Sequence, residues 1–155
     1  MANAASGGGG NVTLSFQAGA GLLTSTAIKY TMVGLKATTT NGGFDSVVPC
    51  NSATIQPIGV LMVDMSASAE ATIPVQVHGL TKVRAYDTVA AGKWVVPVVG
   101  QVGKGGPYEA GLTATAVSTT SHTVALGRCF QTGVTSDYIS VYVNPQLIVR
   151  SYAAG

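Results

Sequence analysis

The stretch Ala71-Thr72-Ile73-Pro74-Val75-Gln76-Val77-His78-Gly79-Leu80-Thr81-Lys82-Val83-Arg84-Ala85 decides the fold class of this chain. Apolar and polar residues alternate in both of its halves, which is the period of a β-strand with one buried face. The alternation is clearest from Leu80 onward, and Gly79 between the two halves predicts a bend or a bulge. Pro74 has no N–H to donate to a neighbouring strand, so we expect the first half to lie at a sheet edge.

Further strands are expected along the rest of the chain, because short alternating or apolar runs recur between glycine-rich turns. These runs cover residues 12–16, 28–33, 44–48, 58–63, 93–99, 123–130 and 138–143. Asn144 and Pro145 are expected to end the last of them. The sequence offers no convincing amphipathic helix, although one short helix is compatible with it. The prediction is an all-β (mainly β) fold, a small antiparallel β-barrel or sandwich with extended N-terminal and C-terminal arms.

The length of 155 residues suits one ordinary domain with a modest core. We expect this single β domain to span residues 17–145. Residues 1–16 are expected to form an N-terminal arm, because residues 7–10 are four consecutive glycines and give the backbone great freedom. Residues 146–155 are expected to form an extended C-terminal tail.

Charged residues make up only 9% of the chain, whereas hydrophobic residues make up 46%. A freely soluble monomer normally covers itself with charged side chains, so much of this surface is expected to contact protein. The eight Lys and Arg residues are dispersed, and the net charge is +2. Nucleic acid is therefore not an expected partner, because phosphate binding needs a concentrated basic face.

Neither a membrane nor secretion is predicted. The longest apolar stretches, such as residues 58–63 and 94–99, are far shorter than the roughly 20 residues of a membrane helix. Residues 1–10 have no cationic start and no apolar core, so they do not read as a secretory signal, and synthesis in a cytoplasm is expected. In such a protein Cys50 and Cys129 are expected to be buried free thiols.

The sequence predicts no catalytic, nucleotide or metal site. Residues 100–106 superficially resemble a phosphate loop, but Val98 and Gly105 stand where the motif needs Gly and Ser or Thr. Neither His78 nor His122 is predicted to act as a catalytic base, because the sequence has no nucleophile-elbow motif around any serine. The six acids fall mainly at predicted turns, where carboxylates bond to backbone amides: Asp45, Asp64, Glu70, Asp87, Glu109 and Asp137. We therefore expect no enzyme activity, no cofactor and no metal.

Aromatic residues mark a possible contact face. Tyr138 and Tyr142 are four residues apart on a predicted strand and share one face, and Trp94 begins an apolar run. Such residues usually build cores or protein interfaces. Stacking on a carbohydrate or a nucleic-acid base is the alternative, for which polar partners are not evident from the sequence.

A resemblance to a known family rests on the order and spacing of several segments between residues 16 and 145. The segments are residues 17–22 (Gln-Ala-Gly-Ala-Gly-Leu), 58–61 (Ile-Gly-Val-Leu), 71–83, 89–93 (Val-Ala-Ala-Gly-Lys), 126–130 (Leu-Gly-Arg-Cys-Phe) and 138–143. In these features the chain resembles the tailed-bacteriophage capsid decoration (cement) proteins, small β-rich proteins encoded beside the major capsid protein. The glycine-rich start and the long end after Pro145 depart from the family pattern.

The resemblance implies a homotrimer with a compact β-barrel-like body at the local three-fold positions of an icosahedral shell, and an arm that clips capsid subunits. The implied role is that of a structural virion protein on the outer capsid surface, made in the host cytoplasm. It would stabilise the capsid by bridging major capsid protein subunits, with no small-molecule substrate.

Two other classes remain open from the sequence. A tail-tube, fibre or shell protein would share the low charge and the β-rich composition. A small enzyme or a carbohydrate-binding module would require a pocket with converging polar groups.

Within the predicted arm, Val12, Leu14 and Phe16 are the expected capsid-binding residues. They alternate with Thr13 and Ser15 as in a half-buried strand. Such a strand can add to the sheet edge of another chain through its backbone. Burial of the three apolar side chains would then offset the conformational entropy that ordering the arm costs.

Overall fold

The computed structural model describes residues 10–19, 22, 28–37, 44–52, 55–65, 72–108 and 121–150. Its strands are β1 (Val12–Gln17), β2 (Met32–Ala37), β3 (Phe44–Pro49), β4 (Pro57–Leu61), β5 (Thr72–Arg84), β6 (Trp94–Pro97), β7 (Gly105–Pro107), β8 (Ser121–Cys129) and β9 (Tyr138–Arg150). All strand pairs are antiparallel, and the sheet curls into a half-barrel. The predicted all-β class is confirmed. Residues 1–9 and 151–155, within the expected arms, lie outside the described residues.

The long strand β5 joins two parts of the sheet. The strand order is β3-β2-β4-β5-β9-β8-β6-β7, with β1 paired to β5 in addition. The first half of β5 pairs with β1 and β4, and its second half pairs with β9. The expected edge position of Pro74 is therefore wrong. Proline is tolerated here because it lacks only the N–H, and its carbonyl still accepts the N–H of Met62 at 3.1 Å.

The bend expected at Gly79 is confirmed, and it lies within one continuous strand. His78 pairs with Val12 while Gln76 pairs with Thr13, so Val77 is an extra residue on β5. Gly79 has a φ of 97°, which glycine adopts at little cost.

Two side chains stabilise this bulge. Gln76 is only 2% exposed, and its Nε2 donates to the carbonyl oxygens of His78 at 3.2 Å and Leu80 at 3.0 Å. From the β1 side, Oδ1 of Asn11 accepts the N–H of Leu80 at 3.0 Å. The polar groups that the irregular backbone leaves out of the strand ladder thus find partners.

Two clusters of buried apolar side chains lie on opposite faces of β2 and β4. Met32 and Val60 belong to the first core, and the residues that follow them, Val33 and Leu61, belong to the second core. Successive side chains of a strand point to opposite faces, so β2 and β4 form a layer between the cores. Side chains of β6, β8, β9 and the second half of β5 complete the first core, and those of β3 and the first half of β5 help complete the second.

The second strand begins later than expected. We predicted a strand over residues 28–33, whereas β2 begins at Met32. Tyr30 has a φ of 74°, and the N–H and Oγ1 of Thr31 both donate to the carbonyl oxygen of Ile28, at 3.1 and 2.7 Å. These contacts form a turn that the apolar pattern does not reveal.

The last strand continues beyond its expected end at Pro145. β9 extends to Arg150, and Gln146 pairs with Ala125 while Val143 pairs with Gly127. Asn144 and Pro145 therefore stand opposite the single residue between those partners, which is the geometry of a bulge. Proline fits there because a bulged residue need not donate to the ladder. The expected domain boundaries after residues 16 and 145 both fall inside strands.

Candidate functional site

The three predicted capsid-binding residues all lie on β1, which pairs with β5 of the same chain. In the single chain, β1 therefore adds to the sheet of its own chain and not to that of a neighbour. Phe16 pairs with Ile73 and packs against the second core, whereas Val12 and Leu14 are 44% and 49% exposed. β1 therefore has one anchoring side chain and two apolar side chains available to a partner.

A row of side chains crosses four strands of the other part of the sheet. Trp94 pairs with Arg128, Arg128 pairs with Tyr142, and Tyr142 pairs with Leu80. Register partners on adjacent strands share a face and lie within contact distance. Leu80 is 51% exposed, so the row is accessible at its β5 end.

A groove of about 450 Å³ opens over β6, β8 and β9, and we call it the aromatic groove. It is lined by Trp94, Arg128, Phe130, Tyr142, Asn144 and Gln146. Its size lies within the range of small-molecule sites in proteins.

Contacts within the protein fix two of the lining side chains. The guanidinium carbon of Arg128 lies 4.2 Å from the ring centroid of Trp94, a cation–π distance, and its Nη1 donates to the carbonyl oxygen of Gly92 at 3.0 Å. The Tyr142 hydroxyl lies 3.0 Å from Nε2 of His78, and the two rings meet edge to face. The floor of the groove is therefore held in place before any ligand binds.

The remaining lining residues offer unused contacts. Phe130 is 64% exposed, and its ring centroid lies 6.2 Å from that of Tyr142. Asn144 and Gln146 are exposed, and neither side chain has a hydrogen-bond partner in the described part of the chain.

The sequence singled out Trp94 and Tyr142, and the structure brings them to one groove. Tyr138 lies elsewhere, with its ring 5.6 Å from that of Tyr30. The sequence does not predict the positions of Asn144 and Gln146, because Pro145 is expected to end the strand. The bulge at Asn144 and Pro145 interrupts the strand alternation, so the sequence does not reveal that the two amide residues share a groove with Tyr142.

The segment that resembles a phosphate loop has its amides occupied. The N–H of Gly100 donates to Asn51 at 2.8 Å, and that of Gly103 donates to Cys50 at 2.9 Å. Residues 105–107 continue as β7, so no helix follows the loop. These contacts fix the segment on the first core and leave no cradle of free amides for a phosphate.

Three of the acids have the expected turn role. Asp64 accepts the N–H of Lys29 at 2.7 Å, Asp87 accepts that of Thr88 at 2.7 Å, and Asp137 accepts that of Val134 at 3.0 Å. Asp45 lies in β3 and His122 in β8. The remaining acids, Glu70 and Glu109, lie outside the described residues.

The two cysteines are buried and free, as expected. Burial raises the pKa of the Cys50 thiol to about 12. Burial also raises the pKa of Cys129, against a smaller opposing effect of a backbone hydrogen bond with Gln131. Both groups are therefore protonated and poorly nucleophilic near neutral pH.

Over the described ranges, no group of three or more His, Cys, Asp or Glu side chains could hold a metal ion. A helix long and apolar enough to cross a membrane is likewise not found in the part of the chain that the structure describes. Comparison with protein-family models and with curated proteins gives no match to this chain.

Proposed function

We propose that this protein is a capsid decoration protein of a tailed phage. It binds the outside of an icosahedral capsid as a homotrimer and stabilises the shell by bridging major capsid protein subunits. It acts as a structural virion component and catalyses no reaction.

The observation that carries this proposal is the exposure of β1. Val12 and Leu14 are about half exposed on a strand that pairs with β5, so this strand presents a short apolar strip to solvent. Two exposed apolar side chains on one strand offer a small contact to a protein partner. The charged content of 9% agrees with a surface that is largely covered in the assembled particle.

A trimer makes this small contact sufficient. Burial of the exposed parts of Val12 and Leu14 contributes on the order of 1 kcal/mol each. One copy would bind weakly, but three linked copies that engage neighbouring subunits together bind far more tightly. The same geometry bridges subunits and opposes their separation.

The experiment measures binding to undecorated capsids assembled from the major capsid protein of the same phage. Leu14→Asp removes an apolar contact and places a charge in the interface, so we expect at least tenfold weaker binding, about 1.4 kcal/mol per copy. The matched control is Thr13→Asp, which adds the same charge to an exposed residue of the same strand. Circular dichroism verifies that both variants are folded.

Decorated capsids should also resist a higher temperature than bare capsids. Equal binding by the unmodified protein and both variants would show that β1 does not contact the capsid. Failure of the unmodified protein to bind capsids would refute the proposal. A tail-tube, fibre or shell component is distinguished by position, because electron microscopy of the virion would then show the protein away from the outer capsid surface.

A further inference from the structure

We propose that the aromatic groove is a binding site for a neutral saccharide. The site is separate from the β1 strip that the proposed function uses. The inference rests on the combination of ring faces, side-chain amides without a partner among the described residues, and preformed geometry on β6, β8 and β9.

The rings supply the apolar part of the site. A pyranose ring presents a face of C–H groups, which packs on the π-face of an aromatic side chain, as other apolar groups do. Phe130 is 64% exposed and lies beside Tyr142, and Trp94 lines the same groove. Phe130 and Tyr142 thus offer stacking surface within a groove of about 450 Å³, whereas Arg128 already covers one face of Trp94.

The amides supply the polar part. Asn144 and Gln146 line the groove, and in the described part of the chain their side chains have no hydrogen-bond partner. A side-chain amide presents a donor and an acceptor side by side. This arrangement matches neighbouring hydroxyls of a sugar, each of which can donate and accept.

Charge argues against the other ligands that stack on aromatic rings. The described groove lining contains one cation, Arg128, whose guanidinium already stacks on Trp94 and bonds to Gly92. A nucleic acid would need several cations along its backbone. Among the described residues the lining has no carboxylate to pair with a cationic ligand, so a neutral, hydroxyl-rich ligand fits best.

The site needs little rearrangement on binding. Trp94, Arg128 and Tyr142 are register partners on three adjacent strands, and His78 holds the Tyr142 hydroxyl. The bulge at Asn144 and Pro145 follows Tyr142 on β9, so the bulge and the tyrosine lie close together along this strand. A preformed site avoids the entropy of ordering loops or side chains.

Trp94 is the single tryptophan of the sequence, so its fluorescence reports directly on the groove. The free, full-length protein is first screened on an array of neutral glycans. It is then titrated with the glycans that bind, or with maltohexaose, cellohexaose and N-acetylchitohexaose if none stands out. We expect at least one of these saccharides to change the Trp94 fluorescence in a saturable way.

Variants locate the binding. Phe130→Ala and Gln146→Ala, both at exposed side chains, should each weaken binding at least tenfold by calorimetry. The matched control is Tyr86→Ala, which removes a 40% exposed ring outside the groove and should leave binding unchanged.

Three results would overturn the proposal. They are the absence of saccharide binding on the array and in the titrations, equal weakening by the groove and control variants, and a Trp94 fluorescence change with capsids but with no saccharide. The last result would make the groove a protein contact. Because the array and the saccharide titrations contain no capsid, the absence of saccharide binding leaves the proposed capsid attachment through β1 unaffected.

Discussion

At the residue scale, the amide of Gln76 holds the bulge of β5 from the protein interior. Its two hydrogen bonds reach the carbonyl oxygens of His78 and Leu80, on either side of Gly79. A buried acceptor that loses its partner incurs most of its desolvation penalty. The glutamine is thus required by the backbone irregularity beside it.

We expect Gln76→Leu, which preserves the approximate side-chain volume, to lower the free energy of unfolding by about 1–3 kcal/mol. The measurement is urea denaturation followed by circular dichroism. Gln131→Leu is the control, because Gln131 is exposed. Equal stability of the two variants would show that the bulge does not depend on the Gln76 amide.

At the element scale, one side chain of β1 anchors the strand to the core while others remain exposed. Phe16 packs on the second core, while Leu14, two residues earlier, pairs with Val75 and remains half exposed. Removing the Phe16 side chain would therefore leave a cavity beside the second core, whereas removing that of Leu14 would mainly take away surface that already contacts water.

Phe16→Ala should lower the free energy of unfolding by about 2 kcal/mol, because it removes contacts with the second core. Leu14→Ala should change it by less than about 1 kcal/mol, since much of that side chain is already in water. Thermal denaturation of the two variants and the unmodified protein measures the difference. A larger loss for Leu14→Ala would contradict the assignment of Phe16 as the anchor of β1.

Most strands were predictable because strand periodicity depends on local sequence. β1 and β3 were placed within a residue of their ends, and the bulge near Gly79 was expected from a glycine between alternating halves. Two errors came from local exceptions, the left-handed Tyr30 before β2 and the bulge that carries Pro145 in β9. Neither has a distinctive sequence signal.

The aromatic groove was only partly predictable, for a different reason. Trp94, Arg128 and Tyr142 are brought together by strand register, and the order of β6, β8 and β9 in the sheet is a long-range property. Composition and periodicity indicate that aromatic side chains share faces, but they do not indicate which strands become neighbours.

At the scale of the whole molecule, the proposed assembly is a homotrimer. Half-exposed apolar residues such as Val102 and Val134, together with the low charge, give the surface the composition of an interface. Closed symmetric assemblies are the common way to cover such surfaces.

Reconstructions of decorated capsids should therefore show the protein in groups of three with a shared interface. Sedimentation of the free protein then shows whether the trimer forms before attachment or only on the shell. Isolated copies on the capsid, without contact to one another, would contradict the trimer.

The placement of β2 and β4 between the two cores also bears on how the molecule loses its structure. Neighbouring residues of one strand, Met32 and Val33, contribute to different cores, and β5 supplies side chains to both. Separating either half of the molecule would expose one face of the layer formed by β2 and β4, and the other half packs on the opposite face of that layer. The two halves are therefore one cooperative unit, and the slowest amide protons on both sides of Gly79 should exchange with solvent through a single global opening.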